Sequence, residues 1–185
     1  MSSAIQTFTG AFVDPLAPDP VALDPLDIAH ALSHHCRFGG HSRVFYSVAQ
    51  HSTVVADAVE ARTDDVESTL AALLHDASEA YLGDLPHPLK HRSPLGDAFR
   101  QAEQRLQAAI AARFGIPAEP PAVVKEVDRA ALAAERYALM LPSSNGHWPE
   151  LAGAEPLGVE VDPWPSARAA QEFLARFERL QGTRA

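Results

Sequence analysis

Apolar residues recur at helical spacing along most of this chain, and the alternating pattern of a half-buried strand is nearly absent. Proline and glycine interrupt the pattern at intervals, so they mark where successive helices begin and end. The sequence therefore predicts an all-α fold of about six helices. Proline follows aspartate three times in the first 25 residues, which disfavours helix there and predicts an extended N-terminal segment.

These breaks set the bounds of the expected helices. Asp24 is the expected N-cap of the first helix, and Asp64 has the capping-box spacing to Glu67 at the start of the third. The predicted helices cover about residues 25–36, 46–61, 64–82, 94–114, 121–141 and 166–181. A turn is expected at Gly83–Pro88, and a surface loop over 142–166, with a short strand at Val159–Val161.

Length, charge and cysteine content narrow the class of protein. The 185 residues are 46% hydrophobic and 21% charged, which suits a single globular domain over 1–185. The net charge of −9 makes duplex nucleic acid and anionic membranes poor partners. The lone Cys36 excludes an internal disulfide framework and a Cys-based zinc site. No Lys or Arg precedes Arg37 and no long apolar run occurs, so a cytoplasmic protein is expected.

Polar residues interrupt the apolar faces of three predicted helices. His51 lies three residues after Val48, Asp128 lies on the apolar face of the 121–141 helix, and the His75-Asp76 pair follows two leucines. A bound metal ion would remove the cost of burying unpaired carboxylates. Each position alone is more often a satisfied core residue, but no Lys or Arg in these stripes could pair them. The combination predicts a site for Mn, Fe, Co, Ni or Zn.

A cluster of basic residues follows the His75-Asp76 pair in an otherwise acidic chain. Its members are His87, Lys90, His91 and Arg92. Arg37 and Arg43 also flank the Gly39-Gly40 break. A solvated basic loop is the simpler interpretation, but beside a metal site such residues are typical of phosphate binding.

The motif residues resemble those of a known superfamily. The H…HD…D signature of the HD-domain metal-dependent phosphohydrolases is matched by His51, His75, Asp76 and Asp128. The string LHDASEAYLGDLPHPLK, which begins at Leu74, resembles the small bacterial 5′-deoxynucleotidases of that superfamily. It also resembles phage and prophage relatives that include deoxynucleoside triphosphohydrolases. The similarity covers about residues 26–140 and implies an HD-domain helical bundle.

The resemblance implies one divalent ion, most often manganese or cobalt, with iron, nickel, zinc or magnesium as alternatives. It implies the ligands His51, His75, Asp76 and Asp128. Asp76 and Glu79 would be the catalytic carboxylates, with Glu79 serving the attacking water or the leaving group. The implied substrate residues are Arg37 and Lys90 for phosphate, Asp84 for the sugar, and Phe38 where the family has tryptophan.

The expected function is therefore that of a 5′-deoxynucleotidase that releases phosphate from deoxynucleoside monophosphates. The alternatives are a dNTP triphosphohydrolase, for example one for dATP, a non-catalytic nucleotide sensor, and a helical assembly protein. Ala80 follows Glu79, which argues against the HDxxED signature of the alarmone hydrolases. The expected partner is a small deoxynucleotide. A homo-oligomer is also expected, because small helical domains often bury a helix face in a dimer.

Overall fold

The computed structural model of the protein describes residues 4–142 and 148–184. This described part contains eight α-helices and one short hairpin. The helices are Pro25–His34 (α1), Val48–Thr63 (α2), Val66–Leu73 (α3), Glu79–Leu82 (α4), His87–Arg92 (α5), Pro94–Phe114 (α6), Ala122–Leu139 (α7) and Ser166–Arg184 (α8). The hairpin pairs Ile5–Gln6 (β1) with Phe12–Val13 (β2) in antiparallel register. The predicted all-α fold is confirmed.

Helix α2 lies at the centre of the bundle. It packs against α1, α3, α7 and α8, and α8 also covers α1 and α3. The core between them is built from fully buried side chains that include Ile28, Leu32, Val55, Leu70 and Phe173. Because four helices pack around α2, a polar residue on the inner face of α2 is surrounded by protein.

Several helix ends lie where proline, aspartate and glycine predicted them. Asp24 caps α1 by accepting a hydrogen bond from the Leu26 N–H at 2.8 Å, and Pro25 takes the first helical position. Helix α6 ends at Gly115, whose φ of 66° is the left-handed conformation that a helix C-cap favours.

The third predicted helix starts one residue later than expected and is much shorter. Asp65, not Asp64, is the N-cap of α3, because its carboxylate accepts from the backbone N–H groups two and three residues on. Asp64 instead ends α2, at φ 51°. The helix stops at Leu73, because Leu74 leaves the helical conformation at φ −103° and ψ 9°. Residues 74–78 form tight turns before α4 begins.

Other expectations need correction in the N- and C-terminal parts. The sequence did not predict the β1–β2 hairpin, and the expected turn at Gly83–Pro88 overlaps the start of α5. Residues 159–161 form no strand, although they are described. Part of the expected 142–166 loop, residues 143–147, lies outside the described residues. Among the helices that are described, none is long and apolar enough to cross a membrane.

Backbone pairing places the segment before α2 beside the centre of the bundle. The N–H of Arg37 donates to the carbonyl of Tyr46 at 2.8 Å, and the N–H of Val48 donates to the carbonyl of His35 at 3.0 Å. Arg37 is therefore fixed at the N-terminus of α2.

Candidate active site

Three of the predicted metal ligands converge between α2 and the turn that follows α3. One ligand atom each from His51, His75 and Asp76 lies within 4.8 Å of the other two. Nε2 of His75 is 3.3 Å from Oδ2 of Asp76, and Nε2 of His51 is 3.8 Å from the same oxygen. The convergence expected from the sequence is observed, although His75 and Asp76 do not lie on a helix as expected.

The chain leaves the regular α-helix at the turn that carries His75 and Asp76. The N–H groups of Ala77, Glu79 and Ala80 each bond to the carbonyl three residues back. These bonds replace the four-residue spacing of an α-helix with tighter turns. Nδ1 of His75 lies 2.6 Å from the carbonyl of Ala72. That contact makes Nδ1 the protonated nitrogen and leaves the Nε2 lone pair facing the centre.

The chemistry of these side chains fits a divalent ion. Nε2 of His51 and Nε2 of His75 are buried, and neither has a hydrogen-bond partner among the described residues. Buried polar atoms are rarely left this way, so each unpaired atom requires an explanation. Two imidazole nitrogens and a carboxylate oxygen are ligands that first-row transition metals accept. A cation held there would satisfy both nitrogens.

The predicted fourth ligand, Asp128, reaches the same centre from α7. Its Oδ1 lies 3.1 Å from Nε2 of His51, outside hydrogen-bonding geometry, and 3.9 Å from Nε2 of His75. Burial raises the pKa of Asp128, but His51 and His75 outweigh it and hold the pKa well below its usual range. The Asp128 side chain is 37% exposed, whereas that of His51 is 0% exposed. The site is therefore closed behind His51 and open on its carboxylate side.

A buried carboxylate that the sequence interpretation missed supports His51. Oε1 of Glu135, on α7, lies 2.7 Å from Nδ1 of His51. Burial and Arg37 lower the pKa of His51, but Glu135 and Asp128 outweigh them and raise it to about 9. A metal bound at Nε2 must displace a proton, so metal binding is coupled to proton release. Glu135 lies seven residues after Asp128 on one helix face, and that spacing could have identified it.

Arg37 lies between Glu135 and the metal-facing carboxylate. Its Nε donates to Oε2 of Glu135 at 3.0 Å, and its Nη2 forms an ion pair with the same oxygen at 2.9 Å. Its Nη1 lies 3.8 Å from Oδ2 of Asp76. One edge of the guanidinium is thus bound to Glu135, and the other edge faces Asp76 and the candidate metal site, where a phosphate group could bind.

Phe38 lies beside this arginine in a strained conformation. Its φ of 57° is unusual for a residue with a side chain, and such strain often occurs at functional sites. The Arg37 Cζ is 5.6 Å from the Phe38 ring centroid, and the Trp148 ring meets Phe38 edge-on at 6.0 Å. The segment predicted as a surface loop therefore reaches the edge of the site through Trp148.

Glu79 begins α4, three residues after Asp76. Its Oε2 is buried and has no hydrogen-bond partner in the described part of the chain. Burial first, and then repulsion from Asp76 and Asp84, raises the pKa of Glu79 well above its usual value. The pKa of Asp84 is also raised, by desolvation and by Asp76. These carboxyls therefore share one electrostatic environment with Asp76.

The basic cluster is only partly available for an anion. Nζ of Lys90 forms an ion pair with Oε1 of Glu103 at 2.6 Å, and the rings of His87 and His91 stack at 4.4 Å on α5. Arg43 holds the end of α7, where its side chain donates to the Ala138 carbonyl. Arg37, by contrast, lies directly beside Asp76, one of the three candidate metal ligands.

Comparisons with known proteins agree with this geometry. The family model described as 5′-deoxynucleotidase YfbR-like matches residues 35–119. The uncharacterized protein YfdR of Escherichia coli strain K12 is 36% identical over 185 aligned positions, covering 98% of each chain. The chain belongs to the YfbR-like family. An uncharacterized protein of Rhodobacter capsulatus is 34% identical over 93% of this chain and 92% of its own length.

Membership of the YfbR-like family makes this protein a metal-dependent phosphohydrolase of the HD type. The family implies a divalent metal, and the cluster of His51, His75 and Asp76 fits one. The match at 35–119 includes these three residues and Arg37, but it ends before Asp128 and Glu135 on α7.

Proposed function

We propose that this YfbR-like protein releases inorganic phosphate from deoxynucleoside 5′-monophosphates. The observation that carries the proposal is the pair of buried Nε2 atoms of His51 and His75. They face Asp76, with Arg37 beside them, and have no hydrogen-bond partner in the part of the chain that the structure describes. That arrangement offers a cation and a guanidinium to one phosphate group. We assign the metal to His51, His75, Asp76 and Asp128.

When bound, a divalent ion, manganese or cobalt by preference, would polarise the phosphate and supply a water of lowered pKa. The chain's residues then orient the substrate. The free Nη1 edge of Arg37 binds a phosphoryl oxygen, since a guanidinium suits that geometry and charge. Oδ2 of Asp76 lies near Nε2 of both histidines and near Nη1 of Arg37. Asp76 would therefore hold the metal and the guanidinium on the same side of the site.

Glu79 supplies the proton in this mechanism. Its raised pKa and its unpartnered Oε2 favour a protonated carboxyl, which passes the proton to the 5′ oxygen as it leaves. Once deprotonated, the same oxygen accepts a proton from the next water. Both roles need a carboxyl group without a permanent hydrogen-bond partner.

The nucleoside lies on the open side of the site in this proposal. Phe38 contacts the base, and Asp84 approaches the sugar, where a carboxylate would discriminate between 2′-deoxy and 2′-hydroxy substrates. Phe38 packs against Trp148, which supports its ring at the edge of the site. Lys90 contributes a further positive charge to the rim.

A dNTP triphosphohydrolase is the alternative. A triphosphate carries more charge and would need the basic cluster more fully. Lys90 is engaged with Glu103, and this favours the monophosphate. Selectivity for dATP and the resemblance to phage enzymes stay predictions, as do a cytoplasmic location, a homo-oligomer and a single domain over 1–185.

Product analysis tests the proposal. The metal-free protein is loaded with Mn²⁺, Co²⁺, Mg²⁺ or Zn²⁺ and given dAMP, AMP and dATP in parallel. We expect inorganic phosphate from dAMP, with AMP cleaved more slowly. Tripolyphosphate from dATP, with no phosphate from dAMP, would establish the alternative. Tight nucleotide binding without hydrolysis under every metal would indicate a sensor.

A further inference from the structure

Glu135 is a buried carboxylate whose two oxygens serve two different residues of the site. Its side chain is 1% exposed. Oε1 faces Nδ1 of His51 at 2.7 Å, whereas Oε2 accepts from Nε of Arg37 at 3.0 Å and forms an ion pair with Nη2 of Arg37 at 2.9 Å. Burial, and after it the charge of Glu135, raises the pKa of Tyr46. One side chain thus links α7, α2 and the segment before α2.

A structural ion pair alone does not explain this arrangement. Burying a carboxylate costs several kcal/mol, and a pair with Arg37 would repay that cost only in part. An apolar residue at position 135 would avoid the cost of burying a charge, yet it would leave Nδ1 of His51 without this hydrogen-bond acceptor. Because Glu135 accepts from Nδ1, the lone pair of His51 is directed through Nε2 toward Asp76 and His75.

The same carboxylate also sets which edge of Arg37 remains free. Two of the three guanidinium nitrogens are committed to Oε2, and only Nη1 is directed toward Asp76, 3.8 Å away. Without Glu135, the arginine would have no partner to hold this orientation and would approach Asp76 or Asp128.

We propose that Glu135 is a positioning residue that aligns His51 for the metal and Arg37 for the phosphate at the same time. The inference rests on the proposed function, because it takes the metal to lie at His51 and the phosphate at Arg37. It adds a residue that joins the two binding events. Loss of Glu135 weakens both, whereas loss of an ordinary core residue weakens neither.

The test compares Glu135→Gln with Glu126→Gln. Glu126 also lies on α7, but it is exposed and pairs with the surface residue Arg62, at 3.3 Å. Mn²⁺ is first titrated calorimetrically into each metal-free protein without nucleotide. We expect Glu135→Gln to raise the Mn²⁺ Kd about 10–100-fold, and Glu126→Gln to leave it unchanged.

Kinetic measurements at saturating Mn²⁺ then test whether Glu135 aligns Arg37 for the phosphate. With dAMP, we expect KM to rise about tenfold in Glu135→Gln, from the disordered phosphate contact. A lower Tm with unchanged Kd and unchanged KM would make Glu135 merely structural and overturn the proposal. If Glu135→Gln does not fold, Glu135→Asp takes its place, with smaller shifts expected in the same directions.

The two measurements also separate this inference from the proposed function. If the unaltered protein cleaves no deoxynucleotide, the proposed function fails, yet the Mn²⁺ titration still decides whether Glu135 supports His51. If dAMP is cleaved and Glu135→Gln behaves like Glu126→Gln, only the positioning role is wrong.

Discussion

The two histidines that face the candidate metal centre are supported in opposite ways. His75 lies in a turn, and its Nδ1 bonds to the carbonyl of Ala72, three residues back. His51 lies inside the bundle, and its Nδ1 bonds to the carboxylate of Glu135, 84 residues further along the chain. The first contact is local and neutral, whereas the second is long-range and charged.

This difference separates two ways of orienting a ligand. A backbone carbonyl fixes His75 wherever the turn itself forms, so its position depends on α3 and residues 74–78. The position of His51 depends on the packing of α7 against α2, because only that packing brings Glu135 close. Substitutions can therefore affect each support separately.

Removing either imidazole should have the largest effect. We expect His51→Ala and His75→Ala each to lower kcat/KM for dAMP at least about 10³-fold, because the charge stabilisation of a bound metal is lost. Chelation with EDTA should do the same to the unaltered protein, with recovery on adding Mn²⁺. Phosphate release and metal content by mass spectrometry measure both effects.

His34→Ala is the matched control for these variants, because it removes an exposed imidazole from α1. Its activity should stay within about twofold of the unaltered protein. Full activity in His51→Ala, or in the chelated protein, would contradict the site.

Glu79→Gln should leave both histidine supports intact while stopping the reaction. We expect kcat to fall about 10²–10⁴-fold with metal content unchanged, because the amide cannot transfer a proton. Glu67→Gln, on the exposed first turn of α3, is the control. Metal loss in Glu79→Gln would instead assign Glu79 to holding the metal.

Unfolding of the metal-free proteins should distinguish the two supports directly. His51→Ala leaves a cavity and an unpaired oxygen of Glu135 beside Arg37, so we expect the free energy of unfolding to fall by about 2–4 kcal/mol. The His75 side chain is 8% exposed. His75→Ala also leaves a cavity, but it breaks only a local bond to a backbone carbonyl, so we expect a smaller loss of about 1–2 kcal/mol. Urea titrations followed by circular dichroism measure both, and equal losses would remove the distinction.

The smallest expected change in stability concerns α3, the helix that precedes the turn containing His75. Asp65→Ala removes the N-cap of α3 and should lower the free energy of unfolding by about 1 kcal/mol. Asp64→Asn is its control, because asparagine tolerates the left-handed conformation at that position. A larger loss in Asp64→Asn would mean that the capping aspartate is misassigned.

The helices bounded by strong signals could be predicted from the sequence. Pro94 at the first position of α6 and Gly115 after its last residue define that helix, and Asp24-Pro25 defines the start of α1. The break after Leu73 could not be predicted, because the apolar stripe continues through Leu74 and Ala77 with no proline or glycine. The hairpin strands have two residues each, too few for an alternating pattern.

The site was predictable where polar residues interrupt an apolar face. That pattern identified His51, Asp128 and the His75-Asp76 pair, and the motif string then matched the pair as well, while their roles as ligands stay predictions. Glu135 meets the same criterion but matched no motif. Its partners, Arg37 and His51, lie 98 and 84 residues away, so only the packed bundle shows that they meet.

Gln50, the residue before His51 on α2, connects that helix to the segment just before α8. Its amide nitrogen donates to the carbonyl of Asp162 at 2.6 Å, and its amide oxygen accepts from the N–H of Trp164 at 2.8 Å. The match to the family model ends at residue 119, whereas these two hydrogen bonds reach residues 162 and 164. Removing the chain from residue 162 onward would take away both bonds and α8, so residues far beyond the matched region help to hold the part of α2 that carries His51.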